Sequence, residues 1–274
     1  MSTIFEYLYV LAPMLIIGVG FWGVSVIKKD VSIVDSVWSL FFIVAVFVMA
    51  IQQQQLSDRA LVIIFLVIAW GARLSLHITA RHWGQNEDHR YQTIRNNNQP
   101  MFELKSLYLI FGFQAIIAWI IALPLFFGIQ STAALNYIDA IALLLWMTGM
   151  FFEVTADYQL YRFKKNPDNH GKILTEGLWR YTRHPNYFGE CLVWWALFIF
   201  VIAGYSGINE LREINALISL ISPMLMTFLL LKFSGVQLLE KTMKTRSGYE
   251  AYMHNTNAFI PGFVRKKQEG GDVL

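Results

Sequence analysis

Arg183-His184-Pro185-Asn186-Tyr187-Phe188-Gly189-Glu190 marks the point where a basic loop, Gly171 to Arg183, meets an apolar run beginning at Tyr187. Pro185 suits the first position of a helix, because the N–H it lacks is one the first turn leaves unpaired. A helix beginning there sets Asn186 and Glu190 four apart on one face, with Tyr187 beside them. Arg183 and His184 then stand at the helix mouth, where positive charge and free backbone N–H groups favour an anion. A cationic rim above a carboxylate and an amide suits a phosphate-bearing cofactor with a polar head. The same spacing also fits a membrane helix start whose basic residues reach back to the surface. Spacing alone leaves both open.

Composition decides the broader class. Hydrophobic residues make up 55% of the 274 and charged residues 15%, with a mean hydropathy of +0.44. A soluble domain carries about a quarter charged residues, so the chain reads as a polytopic membrane protein. The net charge of +3 is small and spread over loops, which argues against nucleic acid as a partner. Cys191 is the one cysteine, so no internal disulfide can form. No cleavable signal is evident, and Lys28-Lys29 follow the first apolar run as expected of a retained anchor.

Seven apolar segments are long enough to cross about 30 Å of hydrocarbon at roughly 20 residues each. They fall near 6–27, 32–51, 60–80, 106–129, 137–158, 187–204 and 215–235. The expectation is an all-α integral membrane protein: a seven-helix bundle with cytoplasmic loops and a short cytoplasmic C-terminal tail. It is read as one polytopic domain over 1–274, with a substrate and catalytic half (1–130) and a cofactor half (131–265). Basic residues crowd the first, third and fifth loops and the tail, including Arg265, Lys266 and Lys267, while the alternate loops hold only Arg59 and Arg212. By the positive-inside rule the amino terminus lies outside and the carboxyl terminus in the cytoplasm.

Polar residues inside apolar runs are costly and mark candidate sites. Asp35 stands three residues before Trp38 in the second segment, facing a partner or serving an interfacial helix start. Arg73 and His77 lie at i,i+4 in the third and form a polar stripe that can reach Asp35, or a helix–helix hydrogen bond. The loop from Arg81 to Tyr91, with Glu87-Asp88-His89-Arg90-Tyr91 at its end, caps a cavity or is a solvated face. Pro124 and Gln114 are candidates to kink the fourth segment. Glu153 and Asp157, four apart near the end of the fifth, oppose the helix dipole and require a cation such as Arg162. Gly18-Val19-Gly20-Phe21-Trp22-Gly23 is a formal GxGxxG without the strand and loop a dinucleotide fold needs, and is read as close helix packing. The tail from Glu240 through Tyr249 to Pro261 looks amphipathic and folded back.

Ala156-Asp157-Tyr158, Gly177-Leu178-Trp179, the Arg183–Glu190 stretch and Gly248-Tyr249 with Phe259-Ile260-Pro261 resemble the C-terminal half of the steroid 5-alpha-reductase family. Val34-Asp35-Ser36-Val37-Trp38 and Glu87–Tyr91 resemble a large, mostly bacterial subfamily of it. The likeness spans about residues 31 to 263, strongest over 150–262. It implies seven membrane helices, NADPH held in the cytoplasmic half and reduction of an enone such as a 3-oxo-Δ4 steroid. By resemblance Asp157, Arg162, Asn186, Glu190 and Tyr249 fall on cofactor positions, and the expected cofactor-binding set adds Arg73, Asp88, Arg90, Glu153, Lys172, Trp179, Tyr181, Arg183, His184, Tyr187 and Glu240. The family's catalytic glutamate and tyrosine fall on Asp35 and Trp70, and an indole N–H donates a hydrogen bond but not a proton.

The implied reaction transfers hydride from NADPH to the β-carbon of the enone, and a donor on the carbonyl oxygen stabilises the enolate. His77, or Tyr91 oriented by Asp35, is expected to be that donor. Expected partners are the bilayer and an apolar steroid or other enone lipid, without an obligatory protein partner. A bacterial inner membrane is the expected location. The same signature also resembles isoprenylcysteine carboxyl methyltransferases and phospholipid methyltransferases, so S-adenosylmethionine chemistry is the alternative.

Overall fold

The computed structural model describes residues 2–205, 210–233 and 236–263; Arg265, Lys266, Lys267 and the 234–235 end of the seventh segment lie outside them. The described residues form helices and loops, with one isolated bridge between Thr182 and Asn257. The helices are α1 (Ser2–Lys28), α2 (Ile33–Ile51), α3 (Asp58–His82), α4 (His89–Asn97), α5 (Phe102–Ser106), α6 (Phe113–Ile121) and α7 (Leu123–Ile129). They continue as α8 (Tyr137–Lys165), α9 (Pro185–Ala203), α10 (Glu210–Ser219), α11 (Ile221–Phe228), α12 (Val236–Met243) and α13 (Tyr249–Asn255). Among the described residues seven runs are long and apolar enough to cross a membrane: Phe5–Lys28, Ile33–Ile51, Asp58–His82, Phe102–Ile121, Tyr137–Lys165, Pro185–Ala203 and Ile214–Phe233. This is the expected all-α, seven-span class.

Two boundaries differ from expectation for local reasons. The fourth span ends at Ile121, and α7 restarts with Pro124 in its first turn, where a missing N–H costs nothing. Upstream of that break, a π-helical turn over Leu107–Gly112 joins α5 to α6. The fifth span continues to Lys165 instead of stopping at 158, so Glu153 and Asp157 sit within the helix, not at its end. Arg162, Lys164 and Lys165 occupy the last turn and complement its exposed carbonyls.

The chain divides into two compact units. One contains the chain up to Asp139 together with Leu197–Ser222; the other contains Ala140–Ala196 and the chain from Pro223 onward. In the first, α2 packs against α3, α1 and α6, while α7 packs against α3 and α10. The α2–α3 contact is close because Gly71 faces Ile43 and the Ser39 carbonyl, where an added Cβ would approach to 3.0 and 3.1 Å. The Ser39 hydroxyl donates to the Gly71 carbonyl at 2.8 Å. The α1 glycines behave otherwise than expected: a Cβ on Gly18 would meet Phe41 at ordinary contact, and one on Gly20 or Gly23 would have nothing within 4 Å among the described residues.

Arg59 is the larger surprise. Read from sequence as a loop cation, it is 0% exposed near the start of α3. Its Nε and Nη2 donate to the two Asp139 carboxylate oxygens, each at 2.7 Å. Nη1 donates to Ser131 Oγ and the Ala133 carbonyl, and Nη2 also to the carbonyls of Ala134 and Ala203. One guanidinium thereby ties together the start of α3, the 131–139 connection and the end of α9. Breaking a buried pair leaves an uncompensated charge and costs about 3–5 kcal/mol. Arg59→Met should therefore lower the melting temperature of the detergent-solubilised protein sharply. The Arg59→Met, Asp139→Leu double variant should recover part of that loss, and a single variant as stable as wild type would refute the assignment.

Candidate functional site

The first unit gathers charge at the start of α2. Asp35 lies in the first turn, where a carboxylate is favoured by the free N–H groups of the helix end. Its Oδ2 accepts from Arg90 Nη2 at 2.6 Å and its Oδ1 from the Tyr91 hydroxyl at 2.5 Å. Asp88 caps α4, accepting from the Arg90 backbone N–H at 2.9 Å and from Arg90 Nε at 3.0 Å. The Asp88 N–H in turn donates to Ser32 Oγ at 2.7 Å. Glu87 accepts from the Val31 N–H at 2.9 Å and from Arg95 at 2.8 and 3.0 Å. Arg95 also lies 4.6 Å over the Phe102 ring. The loop before α4 is thus pinned across the entrance to α2.

The electrostatics follow from these contacts. Burial pushes Asp88 and Glu87 up, but hydrogen bonds from Arg90 and Arg95 outweigh it and hold both carboxyls below their ordinary range. Burial opposes the charge on Arg90, yet Asp35 and Asp88 raise its pKa on balance. Tyr91 is 6% exposed, and burial, with Asp35 beside it, pushes its phenol well above its usual value. Tyr91 therefore keeps its proton at neutral pH and acts as a donor. Asp35, Asp88, Arg90 and Tyr91 come together as one cluster. Arg73 and His77 lie a turn apart on α3, half-buried. Trp70 is fully buried, 5.7 Å from Phe42 and edge-on to it.

The second unit carries the other candidates. Helix α9 begins at Pro185, as the sequence implies. It crosses α8 through two glycines: a Cβ on Gly189 would sit 2.5 Å from the Gly149 carbonyl and 2.6 Å from the Glu153 nitrogen. This crossing brings Asn186 Nδ2 to within 3.2 Å of Asp157 Oδ1, as its donor. Glu153 is 2% and Asp157 7% exposed, and Glu190 is half-buried one turn beyond Asn186. Arg162 is exposed at the end of α8, 5.9 Å over the Tyr158 ring.

Arg183 and His184 are buried and face Glu240, not the open helix mouth. Arg183 donates to Glu240 Oε1 at 2.7 Å and to the carbonyls of Met253 and Thr256. His184 Nε2 is 3.3 Å from the same carboxylate oxygen, and its ring stacks on Tyr187 at 5.6 Å. Tyr249 is buried beside this pair; burial, then the Glu240 charge, pushes its phenol up to about 12. The tail is stitched back onto the loop, as the sequence reading expects: the Arg183 N–H donates to the Asn257 carbonyl, and the Gly262 N–H to that of Tyr181. The Tyr252 hydroxyl donates to the Trp179 carbonyl, and the Trp179 indole to that of Ala156 at 3.2 Å. The Tyr181 side chain and Lys172 are exposed.

Sequence reasoning read Gln114 as a kink candidate and missed that its Nε2 donates to the Tyr91 oxygen at 3.4 Å; it also missed the Glu87–Arg95 pair. No local spacing rule signals contacts between residues 23 apart.

Seven apolar helices with polar clusters at their ends define an integral membrane protein of helical-bundle class. The chain belongs to the family described as protein of unknown function DUF1295, which matches residues 21–256. That family is related to steroid reductase-like and methyltransferase-like membrane enzymes. A Schizosaccharomyces pombe protein described as uncharacterized is 29% identical over 222 residues, 71% of this chain and 64% of its own length. The chain thus spans just under two thirds of that relative. No solved structure matches the chain.

The Glu240 contacts give a pH dependence. Burial raises this carboxyl, but hydrogen bonds from His184 and Arg183 outweigh it and hold it below the ordinary value. A depressed carboxylate contributes its full stability above the unfolded pKa, about 4.3, and loses it as pH falls through the folded value. A spin label on an exposed Glu250→Cys site should therefore stay immobile at neutral pH and gain mobility as pH drops below about 4. With Glu240→Gln the label should already be more mobile at pH 7, and pH-independent immobility in both proteins would contradict the pairing.

Proposed function

We propose that this protein is an NADPH-dependent membrane reductase of the carbon–carbon double bond of an enone lipid, most closely of the 3-oxo-Δ4-steroid type. The observation that carries the reading is the buried Tyr91 hydroxyl held on the Asp35 carboxyl group in the first turn of α2. A protonated phenol held beside a paired carboxylate is a donor suited to an oxygen on which negative charge develops. Arg90 balances Asp35, so the phenol can turn its O–H to a substrate carbonyl without leaving the carboxylate uncompensated. Membership in a family related to steroid reductase-like enzymes supports the same class.

The residues of the second unit fit a dinucleotide of this kind. Asp157, Glu153 and Glu190 offer acceptors for hydroxyl and amide groups, and Asn186 offers both donor and acceptor. Lys172 and Arg162 are exposed cations for phosphates. Arg183 serves differently: its donors are engaged by Glu240 and two carbonyls, so it shapes the site by holding the tail. When bound, NADPH supplies the hydride to the β-carbon. Tyr91 stabilises the carbonyl oxygen, and the proton that completes reduction comes through that hydroxyl or from solvent. In this reading the carboxyl terminus is cytoplasmic, an orientation supported by the excess of basic residues in the first, third and fifth loops.

Paired titration of purified protein with NADPH and with S-adenosylmethionine, followed by melting temperature, tests the proposal. Saturable NADPH binding is expected; adenosylmethionine binding in its place would turn the reading to methyl transfer. Tyr91→Phe should leave NADPH affinity unchanged and slow enone reduction by about 10²–10⁴-fold. Undiminished turnover would remove Tyr91 from the chemistry.

A further inference from the structure

Gln114 lies just beyond the π-helical turn at Leu107–Gly112, and turns of that type re-aim side chains, frequently at functional sites. Its amide is 3.4 Å from the Tyr91 oxygen. The hydrogen-bond directions there are forced. Asp35 is a carboxylate paired with Arg90, so Tyr91 must donate its one proton to it, and the phenol oxygen can only accept from Gln114. The nitrogen of the amide is therefore the atom turned to Tyr91, and Oε1 points elsewhere. That oxygen is buried and has no hydrogen-bond partner among the described residues. A buried acceptor left unmade costs free energy, and such atoms in a polar cluster mark where a ligand's donor belongs.

We propose that Gln114 is a specificity-determining residue whose Oε1 accepts a hydrogen bond from a hydroxyl carried by the apolar ligand close to its carbonyl group. The inference rests on the reading of Tyr91 as the group that meets that carbonyl. An amide spans only about 2 Å between its nitrogen and oxygen, by standard covalent geometry. A ligand oxygen on Tyr91 and a ligand hydroxyl on Gln114 must therefore belong to the same ring or to adjoining rings. The ligand class is an apolar ring system with a ketone and a neighbouring hydroxyl, rather than a bare enone.

Three probes separate the possibilities: testosterone, with its hydroxyl far from the enone, and its 2α-hydroxy and 6β-hydroxy derivatives. Affinities are read from tryptophan quenching of the detergent-solubilised protein without cofactor. At least one ring-hydroxylated probe should bind about tenfold tighter than testosterone, the value of one well-made hydrogen bond. In Gln114→Met, confirmed as monodisperse, that preference should vanish while testosterone affinity changes little. Equal affinities in wild type, no binding of any probe, or a preference that survives Gln114→Met would each overturn the assignment. The wild-type comparison decides even if the variant fails to fold. NADPH titration of the same sample reports separately. Saturable NADPH binding without a hydroxyl preference removes the Gln114 role and leaves the reductase reading standing. A preference abolished by Gln114→Met without NADPH binding keeps the acceptor and removes the reductase.

Discussion

A charge that leaves water must meet a counter-charge, and in this chain the constraint is met by arginine–carboxylate pairs at helix ends. Arg59 takes Asp139, Arg90 takes Asp35 and Arg183 takes Glu240. Each guanidinium has donors to spare beyond one carboxylate, and their use differs. Arg59 and Arg183 direct theirs to backbone carbonyls of neighbouring loops, so one side chain satisfies several groups that hydrocarbon would leave bare. Arg90 directs its remaining donors to Asp88, the residue that caps its own helix. Lysine, a single point donor, would not substitute at any of the three.

The pairs also separate architecture from chemistry. Arg59–Asp139 is closed on all sides and 0% and 6% exposed, so it offers no free atom to a ligand. Arg183–Glu240 is nearly as enclosed and holds the tail through Met253 and Thr256. Arg90–Asp35 is the most open of the three, with side chains 37% and 17% exposed. Its carboxylate accepts from the buried Tyr91 phenol, and through that phenol it reaches an amide whose oxygen is unmet among the described residues. Unfinished hydrogen bonding at the most open of these three pairs is what distinguishes a candidate site from a structural clasp.

Much of this was legible because it follows from local rules. Apolar runs of about 20 residues have one solution in a bilayer, and Pro185 opens a helix by its missing N–H. Asp35 stood out because a polar group in an apolar run needs a reason, and Tyr91 because it ends a loop crowded with charges and aromatics. What stayed hidden depends on distance in sequence. Arg59 looked like any loop cation, since its partner lies 80 residues away. Arg183 looked like an anion clamp, since nothing near it in sequence announces Glu240, 57 residues on. The glycines of α1 showed the converse error. Their spacing suggested packing, yet Gly149 and Gly189, unremarkable in spacing, make the close approach.

The glycine crossing explains why the Arg183–Glu190 stretch combines such different residues. Gly189 has no room for a Cβ, because the α8 backbone at Gly149 and Glu153 occupies that space. Only with that approach can Asn186, one turn earlier on α9, reach Asp157 on α8. Pro185 sets where the helix begins, and hence the phase that puts Asn186 and Gly189 on the side facing α8. Arg183 and His184, just ahead of it, are turned to Glu240 and hold the tail against the same end. The motif is thus a sequence of positional instructions: anchor, start, polar contact, close contact. Its polar member is useful to a ligand only because the other three fix where it stands.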